Sequence, residues 1–285
     1  MKTPKRIQPL IDDGIVDEVL RPLMSGKEAS VYVVRCGDEI RCAKVYKEAA
    51  QRSFKQAVLY QEGRKVRNSR RARAMEKGSK FGRKQQEDAW HNAEVDALYR
   101  LAKAGVRVPQ PFGCFDGVLL MELVTDEEGG VAPRLNDVSM SAEQACEDHA
   151  LVMHYVKLML VAGLVHGDLS EFNVLVDEYG PVIIDLPQAV DAAGNNNAKS
   201  MLHRDINNMT EYYGQFAPEL LDTRYADEMW ALYEEGELTE DSELTGQFED
   251  SGEAADVDSV LLEIKAVMEE EAERRERIRE ANEDD

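Results

Sequence analysis

The sequence predicts a bilobal α+β fold, strand-rich in its first half and helix-rich in its second. Three observations carry that expectation. Two strand-like runs, Ala29–Arg35 and Ile40–Tyr46, flank the turn signal Cys36-Gly37-Asp38-Glu39. A long amphipathic helix spans Ser141–Ala162, with Ser141 as cap, Gln144 at the capping-box position and Gly163 beyond its end. A further helical stretch runs from Asp205 to about Tyr233. At 285 residues, 43% hydrophobic and 32% charged, the chain is long and apolar enough to bury a substantial core.

The remaining elements follow in order. Residues 1–20 carry Ile7, Leu10, Ile11, Ile15, Val16, Val19 and Leu20 around Gly14, a pattern that fits two short helical pieces and defines an N-terminal helical extension over 1–21. Residues 51–62 read as helix. The stretch 63–84, with Gly63, Gly78 and Gly82 and no sustained apolar period, reads as a flexible basic loop. Glu87–Ala104 returns to helix, with Trp90, Ala93, Ala97, Leu98 and Leu101 near one face and Gly105 closing it. Val106–Pro111 and Val118–Val124 are extended segments around a turn at Phe112–Gly117, and Val174–Val176 and Val182–Ile184 pair across Asp177–Gly180. The expected lobes are 22–124 and 125–233, followed by a partly disordered acidic tail, 234–285, with one candidate helix over 256–280.

Charge is unevenly distributed. The formal net charge is −22, yet 63–84 holds ten basic residues against one acidic, a net of +9, while 234–285 holds 21 acidic against five basic, a net of −16. The overall balance disfavours general nucleic-acid binding, and the basic stretch is the one place where a ribosomal particle or RNA could be contacted. The four cysteines form no CxxC pair, which agrees with reduced thiols and a cytoplasmic setting. Met1–Leu10 lacks an apolar signal-like run, and the most apolar window, Leu151–Val165, contains His154 and Lys157, so no membrane span is expected.

The chemistry concentrates in Val165-His166-Gly167-Asp168-Leu169-Ser170-Glu171-Phe172-Asn173 and Ile183-Ile184-Asp185. An aspartate with an asparagine five residues later, then an apolar-flanked aspartate, is the pattern of a phosphoryl-transfer loop. Asp168 would orient the acceptor and take its proton, and Asn173 and Asp185 supply the hard oxygens that a divalent cation requires. In the second strand of the hairpin Ala43-Lys44-Val45 places a lysine among apolar neighbours, where it needs an anionic partner, and Glu94 lies on the helix that follows. Ahead of the strand run comes Met24-Ser25-Gly26-Lys27-Glu28-Ala29-Ser30, a small-residue loop that lets backbone N–H groups approach phosphates.

The Ser25–Tyr32 loop, the Val165–Asn173 string and Ile183-Ile184-Asp185 followed by Gln188 resemble the RIO family of atypical serine protein kinases, over about Pro22 to Tyr213. The basic insert and Arg204-Asp205-Ile206-Asn207 belong to the same resemblance, and the chain is similar to the non-winged-helix, prokaryotic-type branch. The resemblance implies a kinase-like fold with a trimmed C-lobe, lacking the full activation segment and peptide-binding helices. It implies an ATP- and Mg²⁺-dependent serine kinase, autophosphorylation included, with Mn²⁺ as an alternative ion. By position, Ser25, Lys27, Glu28 and Ser30 would line the phosphates, and Lys44 would bind phosphate and pair with Glu94. Met121, Glu122 and Leu123 would form the adenine-reading hinge, Asp168 the catalytic acceptor, and Asn173 and Asp185 the metal site. Some members of the family are thought to carry phospho-aspartate at the position of Asp185.

Departures from ordinary protein kinases are visible. Gly167 replaces an arginine, Ser170 a lysine, and Asp185-Leu186-Pro187 stands for Asp-Phe-Gly, while Ala217-Pro218-Glu219 reads as a decoy of the activation-segment terminator. Two other readings remain open on the residues. One is a slow ATPase switch in ribosome assembly; the other is a small-molecule kinase of the aminoglycoside or choline type.

Overall fold

Alternation along residues 29–46 dictates the first layer. Cys42, Lys44 and Tyr46 point to one face and Ala43 and Val45 to the other, because successive strand side chains project oppositely. A computed structural model describes residues 3–26, 29–47 and 93–249. The strands are β1 (Glu18–Ser25), β2 (Ala29–Cys36), β3 (Glu39–Tyr46), β4 (Pro111–Phe115) and β5 (Val118–Glu122). They form a five-stranded sheet in the order β1-β2-β3-β5-β4, antiparallel throughout. The β2–β3 hairpin closes on Cys36↔Glu39 through Gly37, whose φ of 63° suits a residue without Cβ, as the turn signal predicts.

Each face of the sheet is covered by a different helix. The first helix, α1 (Gln8–Asp12), and the chain after it bury Ile7, Leu10 and Val16 against Val34, Ala43, Val118 and Leu120. On the other face lies α2, described over 93–103, which packs Ala97, Leu98 and Leu101 near Ala29, Tyr46 and Leu119. The expected helical reading of residues 1–20 therefore holds only for Gln8–Asp12, since Glu18–Ser25 is a strand. The apolar residues Ile15, Val16 and Val19 could not discriminate between the two. Pairing with β2 does, by supplying hydrogen-bond partners that an isolated short helix lacks.

The second half is helical. Helix α3 (Ala142–Val161) has Ser141 as its cap, the Oγ accepting from Gln144 N at 3.1 Å, and Gly163 follows its end at φ 75°. The stretch expected as one helix from Asp205 to about Tyr233 is instead α4 (Ala198–Tyr213), a 3₁₀ turn Pro218–Asp222 carrying the Pro218-Glu219 of the decoy motif, and α5 (Tyr225–Glu235). Pro218 has no N–H to continue a helix, which accounts for the break. Two small two-stranded sheets join the helices: β6 (Leu164–Val165) pairs with β9 (Val190–Asp191), and between them in the chain β7 (Val174–Asp177) and β8 (Gly180–Ile183) form a hairpin. Val106–Pro111 is not a strand before its last residue.

The main core runs from α2 through α3 to α4 and α5, with Leu101, Met153, Leu160, Ile183 and Tyr213 fully buried. All of this lies in one unit, 1–247; of the second, Phe248–Asp285, only Phe248 and Glu249 are described. Lys27 and Glu28, the helix at 51–62, the basic stretch 63–84, residues 87–92 and the candidate helix 256–280 lie outside the described residues. Leu101 anchors α2, and Leu101→Ala is expected to cost about 2–5 kcal/mol, read as a lower urea midpoint.

Candidate functional site

The strand period that puts Lys44 and Tyr46 on one face also puts both beneath α2. Lys44 Nζ donates to Glu94 Oε1 at 2.5 Å and to Asp185 Oδ1 at 2.9 Å, and Tyr46 OH donates to Glu94 Oε2 at 2.7 Å. Glu94 is 4% exposed, so both of its oxygens are satisfied where water cannot reach them. Burial opposes the charge on Lys44, but Glu94 and Asp185 outweigh it and hold the amine above the usual lysine range. Burial likewise pushes against ionisation of Asp185, and Lys44 overcomes it, leaving that carboxyl below its ordinary value. Asp185 takes φ 65°, the left-handed region that aspartate tolerates better than most residues.

The loop between β6 and β7 carries Asp168 and Asn173. Asn173 Nδ2 donates to Asp168 O at 2.8 Å, which leaves the amide oxygen of Asn173 for a cation. Ile184 N donates to Asn173 O at 3.0 Å, so Asn173 and Asp185 are held side by side at the open end of the β7–β8 hairpin. An amide oxygen and a half-exposed carboxylate are hard oxygen donors that fit a Mg²⁺-type ion sharing its remaining positions with water and phosphate. No group of three or more His, Cys, Asp or Glu side chains with metal-binding placement exists among the described residues.

Helix α4 reaches under the same loop. Asp205, 1% exposed, accepts from Gly167 N at 2.7 Å and from Leu169 N at 3.0 Å; Asn208 Nδ2 donates to Leu169 O at 2.9 Å, and Arg204 donates to Gly167 O. His166 bonds Ile184 O at 3.1 Å, the structural placement that its position beside the loop predicts. Burial raises the Asp205 carboxyl to about 6, against the stabilising pull of His166 and the two N–H donors. Burial also raises the pKa of Asp168, opposed by His166 and Arg204 and aided by Asp185. A raised carboxyl is a better proton acceptor than a free one.

Lys44, Tyr46, Glu94, Asn173 and Asp185 line a cleft of about 630 Å³, within the usual range for a small-molecule site of roughly 300–1,000 Å³, and Asp168 lies outside its lining. Val31, Leu119, Met121, Leu175 and Ile184 give it apolar walls, and Lys44, Glu94, Asn173 and Asp185 its polar end. Met121, Glu122 and Leu123 line it from β5 and the residue beyond. The amide N–H of Glu122 is committed to Gln110 O at 2.8 Å and is not available to a base. Val124 also lines the cleft and was not foreseen. At the other rim Ser25 and Ser30 face each other across the β1–β2 turn, Oγ to Oγ at 3.0 Å, and Gly26 N donates to Ala29 O at 2.9 Å. Lys47 Nζ joins them, donating to Gly26 O at 2.6 Å and Ser25 Oγ at 3.1 Å.

A family model described as the RIO domain matches residues 30–226. The chain belongs to the RIO family. The RIO-type serine/threonine-protein kinase Rio1 of Haloferax volcanii is 36% identical over 210 residues, 73% of this chain and 67% of that protein. The serine/threonine-protein kinase rio1 of Schizosaccharomyces pombe is 30% identical over 72% of this chain, and RIO1 of Homo sapiens 29% over 75%. The chain spans only 40% and 36% of the lengths of those two relatives.

Within the RIO domain the structure pairs Lys44 with Glu94, as the sequence reading anticipates, and adds two contacts that it did not foresee, Lys44 to Asp185 and Asn173 to Asp168 O. Tyr46, Arg204, Asn208 and the role of Asp205 were missed. A signal for Asp205 exists: it sits at helical spacing between Leu202 and Met209, and a carboxylate on an apolar stripe must have buried donors. Because its folded pKa of about 6 exceeds the ordinary 3.8, the native state holds this proton more tightly, and stability contributed through it falls as pH rises from about 4 to about 6. Asp205→Asn should lack that slope in denaturation midpoints taken across pH 4–7. It should also turn over at least about tenfold more slowly, because its amide N–H₂ opposes a loop N–H.

Proposed function

We infer that this chain transfers the γ-phosphate of ATP to serine in proteins, itself included, as a RIO-type serine/threonine-protein kinase. The observation that carries the reading is the convergence on one cleft of the Lys44–Glu94–Asp185 cluster and the Asp168–Asn173 loop. Lys44 neutralises phosphate charge, and the apolar walls take the base. Asp168 orients the serine hydroxyl and accepts its proton as the phosphoryl group moves, so that catalysis rests on positioning and charge rather than on a covalent intermediate. Asn173 and Asp185 would hold a divalent ion, Mg²⁺ by the character of the donors, which supplies charge neutralisation on the phosphates when bound. The phosphate rim is assigned to Ser25, Lys27, Glu28 and Ser30, and the base-reading backbone to Met121–Leu123 and its neighbour Val124.

The names of the relatives support the same reading. A cytoplasmic setting and a ribosomal or RNA contact through 63–84 belong to the proposal as well. The first is supported by four free cysteines and by the absence, among the described residues, of any helix long and apolar enough to cross a membrane. The second is supported by the net charge of that stretch alone.

Incubation with γ-labelled ATP and Mg²⁺, alone and with added protein, should place label on serine. Asp168→Ala should abolish labelling while Mg·ATP still binds. Labelling that survives in that variant rules out Asp168 as the acceptor of the proton. Free phosphate released without labelled protein identifies an ATPase instead.

A further inference from the structure

Arg107 lies in the segment between α2 and β4, outside the residues that line the cleft, yet it joins the two ends of the nucleotide site. Its guanidinium forks onto the Glu122 carboxylate, Nη1 to Oε2 at 2.8 Å and Nη2 to Oε1 at 2.7 Å. The same group reaches Asp177 Oδ2, from Nη2 at 2.7 Å and Nε at 3.2 Å. Glu122 ends β5, and its Oε2 also accepts from Gln110 N at 3.0 Å. Asp177 ends β7 at the turn of the hairpin whose open end presents Asn173 and Asp185. The backbone of Arg107 completes the connection, its carbonyl accepting from Ile183 N at 2.9 Å, two residues before Asp185.

We propose that Arg107 is a positioning residue that sets the distance between the base-reading strand and the metal-holding hairpin. It touches neither base nor phosphate. It acts through Glu122 on one side and Asp177 on the other, so that a nucleotide finds both subsites already in register. Two features make the pairing stiff. Bidentate arginine–carboxylate geometry fixes orientation as well as distance. The Asp177 side chain is only 4% exposed, and its other oxygen accepts from Tyr179 N at 2.8 Å, so the carboxylate cannot turn away. Burial would raise the Glu122 carboxyl, but Arg107 and the Gln110 N–H keep it below its ordinary value, so the fork stays ionised. Backbone bonds hold the hairpin to the fold without this side chain, notably Ile183 N to Arg107 O and Val176 N to Pro133 O at 3.0 Å. Losing the guanidinium therefore loosens a distance rather than unfolding a lobe.

The inference rests on the nucleotide reading above and separates from it experimentally. Adenosine engages the base subsite alone, whereas Mg·ATP spans both, so a lost register penalises only the ligand that bridges them. Binding of adenosine and of Mg·ATP is measured for the full chain, Arg107→Ala, Asp177→Asn and the double variant, with melting temperatures alongside. Asparagine at 177 retains the acceptor for Tyr179 N and turns its amide N–H₂ toward the Arg107 donors, so the link to the guanidinium is lost. The preference for Mg·ATP over adenosine should fall about tenfold in each single variant and no further in the double, because the two residues act as one unit. An unchanged preference in the single variants, whether or not stability falls, or losses that add fully in the double, overturns the proposal. A folded wild-type chain that binds no Mg·ATP overturns the nucleotide reading, and this inference with it.

Discussion

A buried lysine charge organises this molecule. Lys44 has 11% of its side chain exposed, and an ammonium taken that far from water is tolerated only beside anions. Two carboxylates meet it, and they come from segments 50 and 141 residues away. The sheet, helix α2 and the chain after β8 are therefore tied together at one atom. Glu94 in turn is too buried to leave an oxygen idle, and Tyr46, two residues along the same strand face, supplies the second donor. Nothing in that cluster can move alone. Charge held in this way is oriented in advance, which is how a polar site lowers a barrier without reorganising.

The loop that carries Asp168 and Asn173 is held by a different device. Its backbone, not its side chains, is gripped: α4 accepts from Gly167 N and Leu169 N through Asp205 and donates to the carbonyls of the same two residues through Arg204 and Asn208. This arrangement also explains a departure from the ordinary protein kinase. Gly167 has φ 81°, a conformation that an arginine would adopt only under strain, so the loop geometry favours glycine over the residue that elsewhere answers a phosphorylated activation segment. Rigidity here is built into the fold instead of being switched on.

Charge distribution follows the same division. The body concentrates its paired ions around the cleft, at Lys44, Arg107 and Arg204, each satisfied by carboxylates or carbonyls of remote segments. Elsewhere ion pairs such as Arg35–Glu18 are exposed, of the kind that contributes little to stability. Of the strongest net charges, +9 over 63–84 falls outside the described residues, and −16 over 234–285 only partly so, since 234–249 is described.

Sequence spacing alone was enough for the bilobal α+β class, the β2–β3 hairpin, the Ser141 cap and the Lys44, Asp168, Asn173 and Asp185 motif residues, because each rests on local periodicity or on chemistry confined to a few neighbouring positions. It misread residues 18–25, where a strand competes with a helix of similar pattern and only a partner strand arbitrates. It also ran Asp205–Tyr233 together as one helix. The partners of buried charges escaped it most completely. Tyr46, Asp205, Asn208 and Arg107 look like ordinary strand, helix and loop residues until folding brings distant donors and acceptors within 3 Å. A buried polar group must be paired, but which group pairs it is a property of contacts far apart in the chain, and those exist only in the folded molecule.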